Sequence, residues 1–149
     1  MRAALFAVLL LVGCGPSMLD DSQQVSTSSQ ELEALVISHT EGTTAADCAA
    51  QMATYQAEAN TMLGRFESRC PGLDGCMSRM GHPDQSDMMR GATDLRAELD
   101  AHVAAGCSAA SLADELARHR TVMVGHCQHL RTRTGSMLGS MRGSMMGCR

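Results

Sequence analysis

His119, Met123 and His126 stand at i, i+4 and i+7, so a helix through them carries two imidazoles and a thioether on one face. Further on, the stretch "GSMLGSMRGSMMGC" (135–148) repeats Gly-Ser-Met-x three times and places Met137, Met141 and Met145 at intervals of four. Imidazole accepts either oxidation state of copper, and thioether sulfur accepts Cu(I). In that reading His119, Met123 and His126 form a core metal site, and the three tail methionines form an acceptor beside it. "MSRMGH", with Met77, Met80 and His82, is a smaller cluster of the same kind. The competing reading is plain packing. Methionine fills irregular apolar gaps, and Glu115 and Glu98 stand one turn before His119 and His102 as local hydrogen-bond partners.

Other chemistries are poorly supported. The chain has no CxxC, CxxCH, GxSxG, HExxH or P-loop. His126-x-x-His129 lacks the glutamate that a di-iron bundle needs, since the residue at the matching offset from Glu115 is Arg118. An enzyme is therefore not expected, and copper is the one cofactor the residue types suggest.

Such ligands need elements to hold them. Cys48, Met52, Tyr55, Ala59, Met62 and Phe66 step at helical spacing, which predicts a helix over 44–69, capped by Thr43 or Thr44. "CPGLDGC" should end it. A second helix is expected from Pro83-Asp84 to about 105, with the stripe Met88, Ala92, Leu95, Leu99, His102 and a stop at Gly106. A third is expected from Ser108 or Ser111 to about 133, with Leu112, Leu116, His119, Met123, His126 and Leu130 as its seam. Hairpin register would set Met62 and Leu95 near His119. The tail, 136–147, reads as a weak helix, because Gly139 and Gly143 cost about 1 kcal/mol each relative to alanine. The fold expected is all-α: a small up-down bundle of three long helices plus a weak C-terminal helix.

The mature core would hold Tyr55 and Phe66 as its aromatics, with no Trp in the chain. Disulfides would offset so thin a core. Of the 7 cysteines, Cys48, Cys70, Cys76, Cys107, Cys127 and Cys148 make an even set for bridges in an exported chain. Antiparallel packing brings Cys48 to Cys107. Cys70–Cys76 with Cys127–Cys148, or either crossed alternative, completes the set.

Export is indicated by the front of the chain. "MRAALFAVLLLVGC" has one basic residue, an apolar run from Ala3 to Val12, then Gly13 and Cys14, the layout of a secretory signal. Its end, "LVGC", resembles the lipobox of bacterial lipoproteins. That resemblance covers only the first fourteen residues and implies removal of 1–13 and acylation of Cys14. Gly15, rather than Asp, at the next position implies sorting to the outer membrane. Residues 14–43 would be the anchor and a flexible Ser/Gln-rich tether, with 44–149 as the bundle domain.

Charge divides along the chain. All 16 acidic residues precede residue 116, whereas Arg118, Arg120, Arg131, Arg133, Arg142 and Arg149 follow. Nucleic acid is excluded by the expected compartment; the lipid surface, a metal ion or a protein partner remain. Two functional readings stand side by side: a copper-binding buffer or chaperone of the cell envelope, and a metal-free structural or adaptor lipoprotein with an Arg-rich docking face. A minor third is surface methionine acting as an oxidant sink.

Overall fold

The computed structural model describes residues 17–82 and 87–146, with side chains to residue 140. Four helices follow one another: α1 (Ser17–Thr40), α2 (Ala45–Arg79), α3 (Met88–Ala105) and α4 (Leu112–Met146). Each packs on its sequence neighbour, and α1 closes the ring against α4. This is an all-α up-down-up-down bundle, as expected, with its parts differently distributed.

The fourth helix is N-terminal. The expected tether over 14–43 is corrected by α1, whose buried positions Met18, Ser22, Val25, Ser29, Leu32, Val36 and His39 step at 4-3-4-3-4-3. Serine at two seam positions disguised the stripe. These small side chains find partners inside the bundle: Ser29 Oγ donates to the Val25 carbonyl at 2.7 Å, and Ser22 Oγ to Met137 Sδ at 3.5 Å. Between them Val25, Leu32 and Val36 supply fully buried apolar contact. Ion pairs from Glu31 to Arg65 and Asp21 to Arg69 tie α1 to α2, and one from Glu33 to Arg131 ties it to α4.

α2 begins where expected. Thr44 and Asp47 form a reciprocal capping box. It does not stop at "CPGLDGC": Pro71 lies inside it, and the helix continues to Arg79. An internal proline typically costs about 3 kcal/mol. Here the apolar stripe runs through it, with Leu73, Cys76 and Met77 all buried beyond the proline, so packing outweighs the lost backbone bond. α3 runs from Met88 to Ala105, and the expected start at Pro83-Asp84 lies outside the described residues. Asp74 of α2 accepts the backbone N–H groups of Met88 and Met89 at 3.0 and 2.8 Å, capping one helix from another. Gly106 ends α3 with a φ of 67°, a conformation that suits glycine.

The third helix and the tail are one continuous element. Leu112, Leu116, His119, Met123, Cys127, Leu130, Thr134 and Met137 are all buried along α4. The seam therefore takes Cys127, not His126, after Met123. Two consecutive steps of four keep it in register with a straight helix, whereas a strict heptad would have drifted.

Cys48 and Cys107 are joined as expected, 59 residues apart in sequence. Cys76 is also disulfide-bonded, while Cys70 and Cys127 are buried free thiols. That overturns the expected Cys70–Cys76 and Cys127–Cys148 bridges, and in both crossed alternatives every bridge to Cys70 or Cys127: Cys70–Cys127, Cys70–Cys148 and Cys76–Cys127. Cys14 and Cys148 lie outside the described residues. Among the described residues no helix is long and apolar enough to cross a membrane.

Candidate functional site

The buried histidines gather at one end of the bundle, just inside the Cys48–Cys107 bridge and its companions Leu112 and Leu116. His39 comes from α1, Tyr55 from α2, Glu98 and His102 from α3, and Glu115, Arg118 and His119 from α4. His102 and His119 are wholly buried, His39 and Tyr55 are 3 % exposed, and Glu98 is 8 % exposed. Each lies on its helix's apolar stripe or one turn from it, which is why four amphipathic helices place them together.

Their hydrogen bonds form one connected set. His119 Nδ1 meets Glu98 Oε1 at 2.9 Å, and its Nε2 meets the Tyr55 hydroxyl at 2.6 Å. His102 Nδ1 meets Glu115 Oε1 at 3.1 Å, and its Nε2 meets His39 Nε2 at 3.2 Å. Arg118 joins the two glutamates, donating to Glu98 Oε2 at 2.5 Å and twice to Glu115. One assignment of neutral tautomers satisfies all of this. The Nδ1–H groups of His102 and His119 donate to the carboxylates, Tyr55 donates to His119, and His39 Nε2–H donates to His102. It leaves His39 Nδ1 as a buried lone pair with no hydrogen-bond partner.

The rings stack in two pairs. His39 lies on Tyr55 with centroids 3.9 Å apart, and His102 lies on His119 at 4.0 Å with 16° between planes. Since both Nδ1 atoms of the second pair face glutamates, both Nε2 atoms face the other way, toward His39 and Tyr55. The Nε2 of His102 thus faces that of His39, and the Nε2 of His119 faces the Tyr55 hydroxyl.

Burial keeps two of the imidazoles, His39 and His119, neutral. Burial, then the neighbouring His102, lowers the His39 pKa to about 4. Burial and His102 lower that of His119 to about 4 as well, against the opposing pull of Glu98. Burial raises the Tyr55 hydroxyl above its ordinary value. Hydrogen bonding from Arg118 holds the Glu115 carboxyl below the usual range. A neutral imidazole whose Nδ1 is held by a carboxylate, as Glu98 holds that of His119, is what a metal ion needs, because the carboxylate fixes the tautomer and raises the basicity of the free nitrogen.

A cleft of about 280 Å³ between α1 and α2 reaches this cluster from outside and is lined by Ser38, His39, Gln51, Thr54, Tyr55 and Glu58, among others.

Of the metal ligands expected from sequence, only His119 belongs to the cluster. Met123 is buried one turn below it in the apolar core. His126 is half-buried on the outer side, in a groove of about 490 Å³ between α3 and α4 with Asp94 and His129. The i, i+4, i+7 trio does not meet, because a straight helix turns His126 away from the seam that His119 and Met123 share. The hydrogen-bond partners of His119 are Tyr55 and Glu98, one to two turns nearer the disulfide than Met62 and Leu95. Met137 is core, its sulfur accepting from Ser22. Met141 and Met145 lie on the last turns of α4, with side chains outside the described residues. Met77 is buried, while Met80 and His82 are exposed, so "MSRMGH" is not a joint site.

Sequence reasoning missed His39 altogether. It closes the α1 seam seven residues after Leu32, and a stripe that allowed small serines would have reached it. Among the described residues, no three His, Cys, Asp or Glu side chains stand preassembled around a common point. The chain matches no family model, no curated protein and no solved structure, so its own geometry is the basis for function.

Proposed function

We propose that the protein is an envelope lipoprotein, anchored through Cys14 in the outer membrane, whose helical bundle binds copper as a buffer or chaperone. The site is the His39–His102–His119 cluster, not His126 and the methionine tail. One observation carries the reading: the Nε2 atoms of His39 and His102 are 3.2 Å apart. Two nitrogens bound at 2.0–2.1 Å to one tetrahedral ion would stand roughly 3.3 Å apart. An ion between them takes the place of the His39–His102 hydrogen bond, and the His39 proton passes to Nδ1, the atom now without a partner. Rotation of the Tyr55 hydroxyl away from His119 supplies the third nitrogen. Glu115 and Glu98 hold two of the three rings in the ligand tautomer throughout. The α1–α2 cleft gives the ion a way in.

The metal-free reading has its own support, since the network is nearly complete as it stands and a buried polar network can serve fold specificity alone. A titration separates them. The disulfide-intact protein, made soluble by Cys14→Ser, is titrated with Cu(I) against a chromophoric chelator, with Zn(II) in parallel. Binding tighter than micromolar is expected, weakened at least about tenfold by His102→Gln and by His39→Gln, as the loss of a ligand or its support typically gives. His126→Ala and Met137→Leu should leave it unchanged. Micromolar or weaker binding by the parent makes the cluster a structural polar core and returns the protein to the adaptor class; full affinity in both histidine variants refutes the cluster as the site and puts the copper elsewhere on the chain.

A further inference from the structure

The end of the bundle opposite the histidine cluster carries the two large apolar side chains exposed among the described residues, Leu19 at 39 % and Met80 at 37 %. They are far apart in sequence and close in level. Helices α1 and α2 run antiparallel, with His39 on Tyr55 and Asp21 paired to Arg69. At 1.5 Å per residue, Leu19 lies about 30 Å and Met80 about 37 Å along the bundle from the cluster. Beside them stands the exposed Arg79 at the end of α2, while Arg90, with 75 % of its side chain exposed on the first turn of α3, lies about 18 Å from the cluster by the same measure. Of the acids of this end, Asp74 caps α3, Asp21 pairs with Arg69, and Asp87 holds Arg90, His129 and Arg133, whereas the exposed Asp20 accepts from Gln24. The other end has the opposite balance, with Glu41, Asp47, Asp100, Asp114 and Glu115 against Arg118 and Arg120.

We infer that this end is seated on the bilayer. Leu19 and Met80 enter the headgroup boundary, and Arg79 meets anionic headgroups. The occupant follows from where the chain leads. α1 begins at Ser17, three positions after Cys14, so no flexible spacer of tether length separates a lipid on that cysteine from the first helical turn. A rigid bundle so closely attached presents the face surrounding Ser17 to the membrane, and that face holds the exposed Leu19, Met80 and Arg79. Basic side chains near an anionic surface and apolar ones in the interface both favour that seat. The histidine cluster then stands outward, at the far tip. This proposal rests on acylation of Cys14, as the proposed function does.

The test uses the full acylated chain in vesicles of phosphatidylcholine and phosphatidylglycerol, with or without brominated acyl chains. The chain has no Trp, so single substitutions Leu19→Trp, Met80→Trp and, at the far end, the exposed Ala113→Trp each report one position. Emission from the Leu19→Trp and Met80→Trp variants should fall by half or more with brominated lipid, while that from Ala113→Trp should not change. Met80→Trp decides, because it lies on a different helix from the anchor. Acylated protein in which Met80→Trp is unquenched, or in which Ala113→Trp is quenched equally, overturns the end-on seat. Absence of the acyl mass on the N-terminal cysteine overturns the anchor itself, an outcome that mass spectrometry reads separately.

Discussion

Two buried imidazoles held neutral make folding sensitive to mild acid. The pKa values of His39 and His119 are lowered from 6.5 to about 4. As the pH falls through 6.5 the unfolded chain takes up both protons, while the folded chain takes them up only near 4. The unfolded state thus binds more protons in this window, so stability is whole above it and is lost as the pH drops. Each proton is worth about 1.4 kcal/mol per pH unit. Two protons give a limiting slope of about 2.7 kcal/mol per pH unit, or about 5 kcal/mol from roughly pH 6.5 to 4.5. Water in the cleft beside His39 screens part of that, which brings the expected loss to about 3–4 kcal/mol, a large share of the 5–15 kcal/mol typical of a domain. Glu115, held acidic by Arg118, acts at lower pH and does not enter. The assay is urea unfolding of the metal-free soluble protein, followed by helical circular dichroism across that range, alongside His39→Gln and His119→Gln. Each variant should lose about half of the slope, whatever its absolute stability. A free energy flat over the window, or the parent's slope in both variants, would refute the neutral-imidazole account.

Two further outcomes follow from the packing. The Cys48→Ala, Cys107→Ala double variant opens a loop of 59 residues, which in the chain-entropy model costs about 4 kcal/mol. Its thermal midpoint should fall accordingly while the helices persist at low temperature. Met137→Leu should change stability by less than about 1.5 kcal/mol, and Met137→Ala should lose about 2–5 kcal/mol. A loss on Met137→Leu as large as that on Met137→Ala would mean the sulfur, rather than the volume, matters there.

Helices whose stripes were apolar could be read from the sequence with little loss: α3, the middle of α2 and the Leu112–Leu130 part of α4. The Cys48–Cys107 bridge followed from antiparallel packing alone. α1 was hidden because its seam alternates serine with aliphatic residues, so composition suggested a solvated linker while spacing, read alone, gave a helix. α2 was cut short because Pro71 and its flanking glycines carry a strong local signal that packing of Leu73, Cys76 and Met77 overrode. The site was partly legible for the same reasons. His102 and His119 were recognisable as seam histidines with acidic neighbours. Their meeting with His39 and Tyr55 depends on a helix that composition concealed, and on a one-residue difference between heptad and straight-helix register that decides between His126 and Cys127.

Tyr55 has an optical consequence. It is the chain's one tyrosine, and there is no tryptophan. Apart from weak absorption by phenylalanine and cystine, the near-ultraviolet spectrum of the whole molecule comes from a ring stacked on His39 with its hydroxyl on His119. Absorbance, near-ultraviolet dichroism and intrinsic emission are thus local signals from the cluster, with almost no background from the rest of the chain. Proton uptake or an ion arriving among the imidazoles becomes visible without any label, and two-state unfolding watched this way follows the rupture of that one end.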